Sequence, residues 1–410
     1  MAVRIENRAQ LVYLLTEAAE LEHGILCCYL FASMSMKESV KEGVTPAQLA
    51  KMDGWRRLIR EVSLQEMLHL ACVCNLLTAV GGAPQLRRPN LPVSPRAYPK
   101  SFKLRLYPFC IEALDQFIAI EMPTTMLPAP PADNSLDLGK LSDIFSSERD
   151  YASQGQLYGG ISDGLHYLAQ KYGEDRLFVG PPSAQTADAY FNLPDFKPIH
   201  DLASAMEALT VIVEQGEGAS VETVDSHYHK FRQIRDEYQA LLDEDEYFDP
   251  ARPVVPNPFA TRPTDLASES EINIIDHPLS VDVSNLFDGC YELMVQMLGR
   301  LFVHAEETES QLRELSNTTA QMMTDILLPL GAALTSLPAG AGHPGKNAGP
   351  SFRLSRGASI PTHRGAAWII FHERLSELAS YCRFLQLEEG APPALAQVQQ
   401  SLARFAATFA

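Results

Sequence analysis

The sharpest chemical signal in this chain is a glutamate followed three residues later by a histidine, in Glu66-Met67-Leu68-His69. Residues three apart share one face of a helix, so Glu66 and His69 can reach a common ion from adjacent turns. The neighbouring residues from Leu68 to Val73 are apolar enough to be buried, where a carboxylate and an imidazole need partners or a metal. A solvated glutamate beside a hydrogen-bonded histidine is the competing interpretation.

The first helical segment offers a matching acid. Glu22 precedes Tyr29 by seven residues, or two turns, so both point toward the same neighbour. Glu20 and His23 also have the Glu-x-x-His spacing, but Glu20, Glu22 and His23 cannot all face one bundle axis. We favour Glu22 as a metal ligand. Tyr29 is a candidate catalytic residue beside the metals, with an ordinary core tyrosine as the alternative.

Three further candidates lie near predicted helix ends. Glu121 ends an apolar helical stretch, although a plain helix-end carboxylate is an alternative. Glu217 lies between two glycines, a pattern that favours a positional demand over helix formation, with Glu214 one turn earlier as the other choice. His227 and His229 are two residues apart and cannot share a helical face, so only one is expected to be a ligand.

Together these candidates combine four carboxylates and two imidazoles from several helices. Such a set suits a two-metal carboxylate site in a helical bundle, where oxygen ligands favour iron or manganese over copper. The sequence therefore predicts a site for two iron ions, with manganese as the alternative, whose ligands are Glu22, Glu66, His69, Glu121, Glu217 and His227.

Apolar residues at helical spacing predict an all-α fold, with long helices separated by Pro-rich and Gly-rich connections. We expect a bundle over residues 1–249, a linker over 250–278, and a C-terminal helical region over 279–410 that packs on the bundle. The predicted helices of the bundle cover 8–39, a short helix from Thr45-Pro46, 54–80, 108–122, 141–172 with a break near Gly159-Gly160, 201–215 and 221–242. A long extended crossover is expected over 85–103.

Composition narrows the function classes. The formal net charge is −18 and no basic run appears, which argues against nucleic acid as a partner. The N-terminal residues do not resemble a signal peptide, and no apolar stretch reaches the roughly 20 residues of a membrane span, so we expect a cytoplasmic protein that does not bind membranes. The seven cysteines are expected to be reduced core thiols. A homo-oligomer is compatible with this sequence, which does not fix the oligomeric state.

Several of these segments together resemble one family of ferritin-like domains, that of the iminophenylpyruvate dimer synthases of bisindole pigment biosynthesis. The matching segments within residues 10–240 are Glu20-Leu21-Glu22 with Tyr29-Leu30 and Ala32-Ser33, Glu66 to Leu70 with Asn75-Leu76-Leu77 and Val80 to Pro84, Ile120 to Pro123, Ile212 to Gly218, and His227-Tyr228 with Phe231. The stretches Ala348 to Phe352 and Trp368 to Leu378 resemble the segment that follows in longer members.

The resemblance implies a ferritin-like bundle, a metal site at the acidic and histidine positions named above, and oxidative chemistry on amino-acid-derived substrates. The first hypothesis is therefore a metal-dependent oxidase or oxygenase that uses dioxygen and a small-molecule substrate; the second is a non-enzymatic ferritin-like metal-binding or scaffold protein. Two departures matter. Gln156 replaces the acidic residue that usually precedes the mid-chain tyrosine, here Tyr158, and the pigment synthases are much longer chains.

Overall fold

Helices account for nearly all regular structure in this computed structural model, which confirms the all-α prediction. The structure describes residues 4–84, 86–93, 103–126, 151, 153–191, 193–194, 196–216, 225–261, 271–355, 360 and 363–410. The bundle contains α1 (Arg8–Ser35), α2 (Pro46–Ala79), α3 (Ile111–Ile120), α4 (Gln154–Tyr172), α5 (Glu174–Leu177), α6 (Asp188–Phe191), α7 (Leu202–Gly216) and α8 (His227–Glu244). The C-terminal region contains α9 (Pro278–Phe302), α10 (Glu309–Met322), a π-helix (Met323–Leu327), α11 (Leu328–Leu334), α12 (Arg364–Leu385) and α13 (Ala394–Thr408).

Local chemistry explains where α2 begins. The Thr45 side chain accepts from the backbone of Gln48, the Gln48 side chain accepts from Thr45, and Pro46 occupies the first helical position. The helix then continues to Ala79, so the prediction of a short helix and a separate helix from 54 was wrong. One interior glycine costs about 1 kcal/mol, and burial of Met52 and Trp55 on either side of Gly54 offsets it.

The predicted break near Gly159-Gly160 was also wrong, because α4 runs through both glycines. Ser153 caps the start of this helix by accepting from the backbone N–H of Gln156. Leu157, Ile161 and Leu165 then form a buried stripe at helical spacing. The packing of that stripe stabilises the helix more than two glycines weaken it.

Besides α1 and α2, the bundle has two further positions, and each is filled by two helices in succession: α3 then α4, and α7 then α8. α1 packs along α2, α3 packs on α8, and α4 packs on α7. α3 ends at Ile120 and α4 begins at Gln154, while α7 ends at Gly216 and α8 begins at His227. The end of α7 lies beside the end of α3 and the start of α4, because a Cβ built on Gly216 would lie 3.4 Å from Glu121 Oε2 and 3.8 Å from Gln154 Oε1.

The C-terminal helices share one continuous hydrophobic core with the bundle. α11 comes close to α1, since a Cβ on Gly331 would lie 2.3 Å from the sulfur of Met34. The segment after α8 is also packed: Arg252 N donates to Ser35 O at 2.8 Å, and a short parallel pair joins β1 (Pro258–Phe259) to β2 (Asn273–Ile274). All seven cysteines are free, and Cys110 is the one that is partly exposed.

Among the described helices, α2 is long and apolar enough by length and composition to cross a membrane. However, 78% of its most apolar window is buried inside the fold. Burial of this kind is typical of a core helix, and α2 packs against α1, α7 and α8.

Candidate metal centre

Glu66 lies between two histidines at the middle of the bundle. Its Oε2 is 3.3 Å from His69 Nδ1, one turn along α2, and its Oε1 is 2.9 Å from His227 Nδ1 at the start of α8. The two imidazole rings are nearly parallel, with centroids 5.4 Å apart. The Glu66 carboxylate therefore faces both imidazoles, with one oxygen directed at each ring.

A second carboxylate stands beside each histidine. Glu22 Oε2, from α1, is 3.8 Å from His69 Nδ1, and Glu121 Oε2, at the end of α3, is 3.7 Å from His227 Nδ1. Each imidazole thus has two carboxylate oxygens near its Nδ1, one of them from Glu66. The arrangement divides into two halves that share Glu66.

The atoms that face the middle of this cluster have no hydrogen-bond partner among the described residues outside the cluster. They are Glu22 Oε2, both side-chain oxygens of Glu66, His69 Nδ1, Glu121 Oε2 and His227 Nδ1. All five side chains are at most 1% exposed. A buried polar atom without a partner is costly, and a buried carboxylate far more so. Five such side chains converging on one point fit one or more bound cations.

The remaining atoms of these side chains are held by hydrogen bonds from a surrounding layer. Tyr158 donates to Glu22 Oε1 and Tyr29 donates to Glu121 Oε1, which turns the other oxygen of each carboxylate toward the centre.

The imidazoles are held in the same way from their outer edges. His69 Nε2 lies 3.0 Å from Gln215 Oε1, and His227 Nε2 lies 3.1 Å from Gln65 Oε1. An Nε2–H that donates to an amide oxygen leaves a lone pair on Nδ1, the tautomer that a metal ligand needs.

Burial and neighbouring charges shift the pKa values of these side chains in different directions. Burial, then repulsion from Glu66, raises the pKa of Glu22 well above its usual value, and burial also raises the pKa of Glu66. Burial lowers the pKa of His69 to about 4. For His227 burial acts in the same direction, but Glu66 and Glu121 outweigh it and raise the pKa to about 10.

The helix breaks explain how these residues reach one place. Glu121 is the residue that caps the C-terminus of α3, so its side chain leaves the helix end. Gln215 and Gly216 form the last turn of α7, and the absence of a side chain at Gly216 lets that backbone approach Glu121. His227 is the first residue of α8, after Ser226 has capped the helix by accepting from the backbone of His229.

The structure brings together five of the six predicted ligands, and the sixth, Glu217, lies outside the described residues. Glu214 is exposed on α7. His229 turns away from the centre, with its Nδ1 2.9 Å from Ser226 Oγ. His23 is buried on another face of α1, where its Nδ1 lies 2.9 Å from Leu86 O.

Tyr29 contacts the cluster through Glu121, and sequence reasoning missed three other residues that contact it. Tyr158 carried a partial signal, since the mid-chain tyrosine belongs to the family pattern. Gln215 lies in the matching segment Ile212 to Gly218 and carried a similar partial signal, whereas Gln65 carried none, because a glutamine beside a predicted ligand is an ordinary helical surface residue in sequence.

Comparison with known proteins agrees with this architecture. The sequence model of the ferritin-like family matches residues 15–236, more than half of the chain. A crystal structure of a ferritin-like protein from Caulobacter vibrioides is similar in fold, with a TM-score of 0.50 and 18% identity over 80% of this chain and 96% of that one.

Two curated enzymes are similar in sequence. The chain is 27% identical over 366 residues to the 2-imino-3-(indol-3-yl)propanoate dimerase of Chromobacterium violaceum, covering 85% of this chain and 34% of that enzyme. It is 28% identical over 398 residues to the dichlorochromopyrrolate synthase of Lentzea aerocolonigenes, covering 87% and 37%. The chain thus spans about a third of the length of these relatives. The match to residues 15–236, the helical bundle and the buried carboxylate–histidine cluster together show that this chain belongs to the ferritin-like family.

Proposed function

We propose that this protein is a metal-dependent oxidase or oxygenase that uses dioxygen to transform an amino-acid-derived small molecule. The observation that carries the proposal is the convergence of six unpartnered oxygen and nitrogen atoms from five buried side chains on one point. Three carboxylates and two imidazoles form a donor set that suits iron, with manganese as the alternative. When bound, two such ions would supply electrons to dioxygen and act as a Lewis acid.

The ligand roles in this proposal follow the two halves of the cluster. Glu22, His69 and one oxygen of Glu66 would hold the first ion, while Glu121, His227 and the other oxygen of Glu66 would hold the second. Glu66, His69 and His227 each offer one ligand atom within 4.8 Å of the others. Glu217, outside the described residues, remains the proposed sixth ligand.

The protein's own residues would control orientation and protons at this centre. Gln215 and Gln65 hold the imidazoles with Nδ1 inward, so neither ring needs to rotate when a cation arrives. Tyr29 keeps its proton, because burial and the nearby Glu121 raise its pKa well above the usual value. Its O–H, directed at Glu121, is our candidate for delivering a proton to the reacting molecule.

The similar enzymes suggest the substrate class. The Chromobacterium violaceum relative is a dimerase of an imino acid that carries an indole ring, and the Lentzea aerocolonigenes relative is a dichlorochromopyrrolate synthase. We therefore propose an amino-acid-derived substrate. Because the chain covers about a third of each enzyme, dimer formation is not part of the proposal.

The test is metal analysis of anaerobically purified protein, followed by addition of dioxygen under spectroscopic observation. The proposal expects about two iron or manganese ions per chain and an absorption change that depends on dioxygen. Bound metal that does not respond to dioxygen would instead indicate a non-enzymatic metal-binding protein. Protein that binds no iron or manganese above the level of a Glu66→Ala variant would overturn the metal centre as well.

A further inference from the structure

A cavity of about 320 Å³ lies between the metal-binding helices and the C-terminal helices. On α1, Glu22 and Tyr29 face the metal centre while Leu26 and Leu30 line the cavity. The same division holds on α2, where Met67 lines the cavity directly after Glu66. None of the proposed ligands that the structure describes lines it, so the α1–α2 pair separates two compartments.

The wall of the cavity is almost entirely apolar on both sides. α9 contributes Met294, Val295 and Leu298, and the π-helix contributes Met323 and Leu327. π-helical turns are uncommon and are frequently found at functional sites. A cavity of this size and apolar lining falls at the lower end of small-molecule binding sites, which are about 300–1,000 Å³.

The charged side chains at the two ends of the cavity are both cations. Its described lining includes no carboxylate, although the whole chain has a formal net charge of −18. Arg60 lies at the exposed rim and makes neither an ion pair nor a hydrogen bond with the described residues. At the buried end, the guanidinium of Arg88 lies 5.9 Å from the ring centroid of Tyr291, which lines the cavity. The described residues give Arg88 neutral partners, such as Phe352 O at 2.7 Å.

The two ends differ in their free hydrogen-bond donors. At the buried end, the Tyr291 hydroxyl is hydrogen-bonded to His23 Nε2 and accepts from Arg88 at 3.1 Å, so its hydrogen is already used. At the rim, Arg60 is exposed to solvent, and the N–H groups of its guanidinium are not used in hydrogen bonds to the described residues. An anionic group would therefore bind at the rim, where it stays partly hydrated, and an apolar body would fill the interior.

We propose that this cavity binds an anionic amphiphile, a molecule with one carboxylate that pairs with Arg60 and an apolar body enclosed by α1, α2, α9 and the π-helix. The positive potential from Arg60 and Arg88 attracts the acid and disfavours a cation of the same shape. The site is separate from the metal centre, and its occupancy does not depend on the proposed oxidase activity.

The test uses three probes of the same chain length on the full-length protein, measured by isothermal titration calorimetry: decanoate, decan-1-ol and decyltrimethylammonium. Decanoate is expected to bind most tightly and the cation most weakly. Arg60→Gln should weaken decanoate about fivefold and leave decan-1-ol unchanged, since one partly exposed ion pair is lost. Arg57→Gln, which removes the same charge one turn earlier outside the cavity, should change neither.

A second variant places the binding in the cavity. Leu298→Trp should fill the space and abolish binding of decanoate and decan-1-ol, whereas Ile369→Trp, on the exposed face of α12, should not. If Leu298→Trp does not fold, Val295→Phe serves the same purpose. Equal affinity for the three probes, an unchanged decanoate affinity in Arg60→Gln, or binding that survives a folded cavity-filling variant would overturn the proposal. Metal content, measured in the same samples, tests the metal centre separately.

Discussion

At the scale of single residues, the centre depends most on Glu66. Its two oxygens face His69 and His227. Among the described carboxylates, Glu66 is the only one placed to contact both halves of the cluster. Burying three carboxylates together is unfavourable unless cations or protons offset their repulsion. In the proposed centre, Glu66 would therefore carry much of the affinity for metal, and its repulsion of Glu22 would destabilise the metal-free protein.

The first prediction follows from that double role. Glu66→Ala or His69→Ala should lose most of the bound metal, measured by elemental analysis, while helix content by circular dichroism stays near normal. In metal-free protein, Glu22→Gln should raise the free energy of unfolding on the order of 1 kcal/mol, because burial and repulsion from Glu66 both disfavour the Glu22 charge. Glu214→Gln, an exposed acid on α7, is the matched control and should change neither quantity. Unchanged metal content in both ligand variants would rule out the site.

The second prediction concerns residues that touch the ligands and not the ions. Gln65→Leu and Gln215→Leu should each weaken metal binding by about 10–100-fold, because the imidazole loses the acceptor that fixes its tautomer and orientation. Competition with a calibrated chelator measures the affinity. Gln233→Leu, at an exposed α8 glutamine, should have no effect. Wild-type affinity in the first two variants would show that the amides do not orient the ligands.

Residue spacing predicts only part of this centre. The three-residue interval of Glu66 and His69 defines one helical face, and the seven-residue interval of Glu22 and Tyr29 defines another, so both pairs were placed from sequence. The acceptors Gln215 and Gln65 lie 146 and 162 residues from the histidines they contact. Such pairing depends on how helices meet in three dimensions, which no local pattern contains.

At the scale of elements, broken helices build the centre. Proline after Glu121 and glycine at 216 signalled the ends of α3 and α7 in the sequence, and both ends lie where predicted to within two residues. Gly54 and Gly159-Gly160 gave the same kind of signal and do not end their helices. The difference is burial on both sides of the glycine, a tertiary effect that overrides local propensity.

Asp288 on α9 gives a pH prediction at this scale. Its oxygens accept from Ser351 Oγ at 2.7 and 2.6 Å, which ties the segment 351–353 to the helix. Removal from water raises the pKa of Asp288 to about 7 despite these bonds. The folded state therefore keeps a proton that the unfolded state releases near pH 4, so stability from this group is present below that pH and is lost as pH rises toward 7.

The measurement compares unfolding free energies at pH 5 and pH 8. The wild type should lose stability on the order of a few kcal/mol across this interval that Asp288→Asn does not lose, since asparagine does not titrate. Asp236→Asn, at an exposed acid on α8, should follow the wild type. A parallel pH dependence in Asp288→Asn and the wild type would show that Asp288 titrates normally in the folded protein.

At the scale of the whole molecule, one core joins the bundle to the C-terminal helices. The sequence predicted that the C-terminal helices pack on the bundle and favoured an enclosed pocket, but it did not define the lining of the cavity, because that wall combines side chains from α1, α2, α9 and the π-helix. The size of this apolar core also determines how far the stability of the fold depends on bound metal, since a large core supplies most of the stability by itself.

Removal of metal should therefore leave the protein folded. After treatment with a strong chelator at room temperature, we expect the far-ultraviolet circular dichroism to keep the helical signal and thermal unfolding to remain cooperative, in contrast to a zinc finger. Complete loss of helical signal would show that metal binding supplies most of the folding free energy.

The proposed metal centre has five side chains from four helices around two metal ions, with Glu66 between them. Anomalous diffraction from crystals loaded anaerobically with iron(II) tests it most directly, because the peaks report the positions of the metal. We expect two anomalous peaks on opposite sides of the Glu66 carboxylate, one beside Glu22 and His69 and the other beside Glu121 and His227. A single peak, or no peak at these five side chains in iron-loaded crystals, would contradict it.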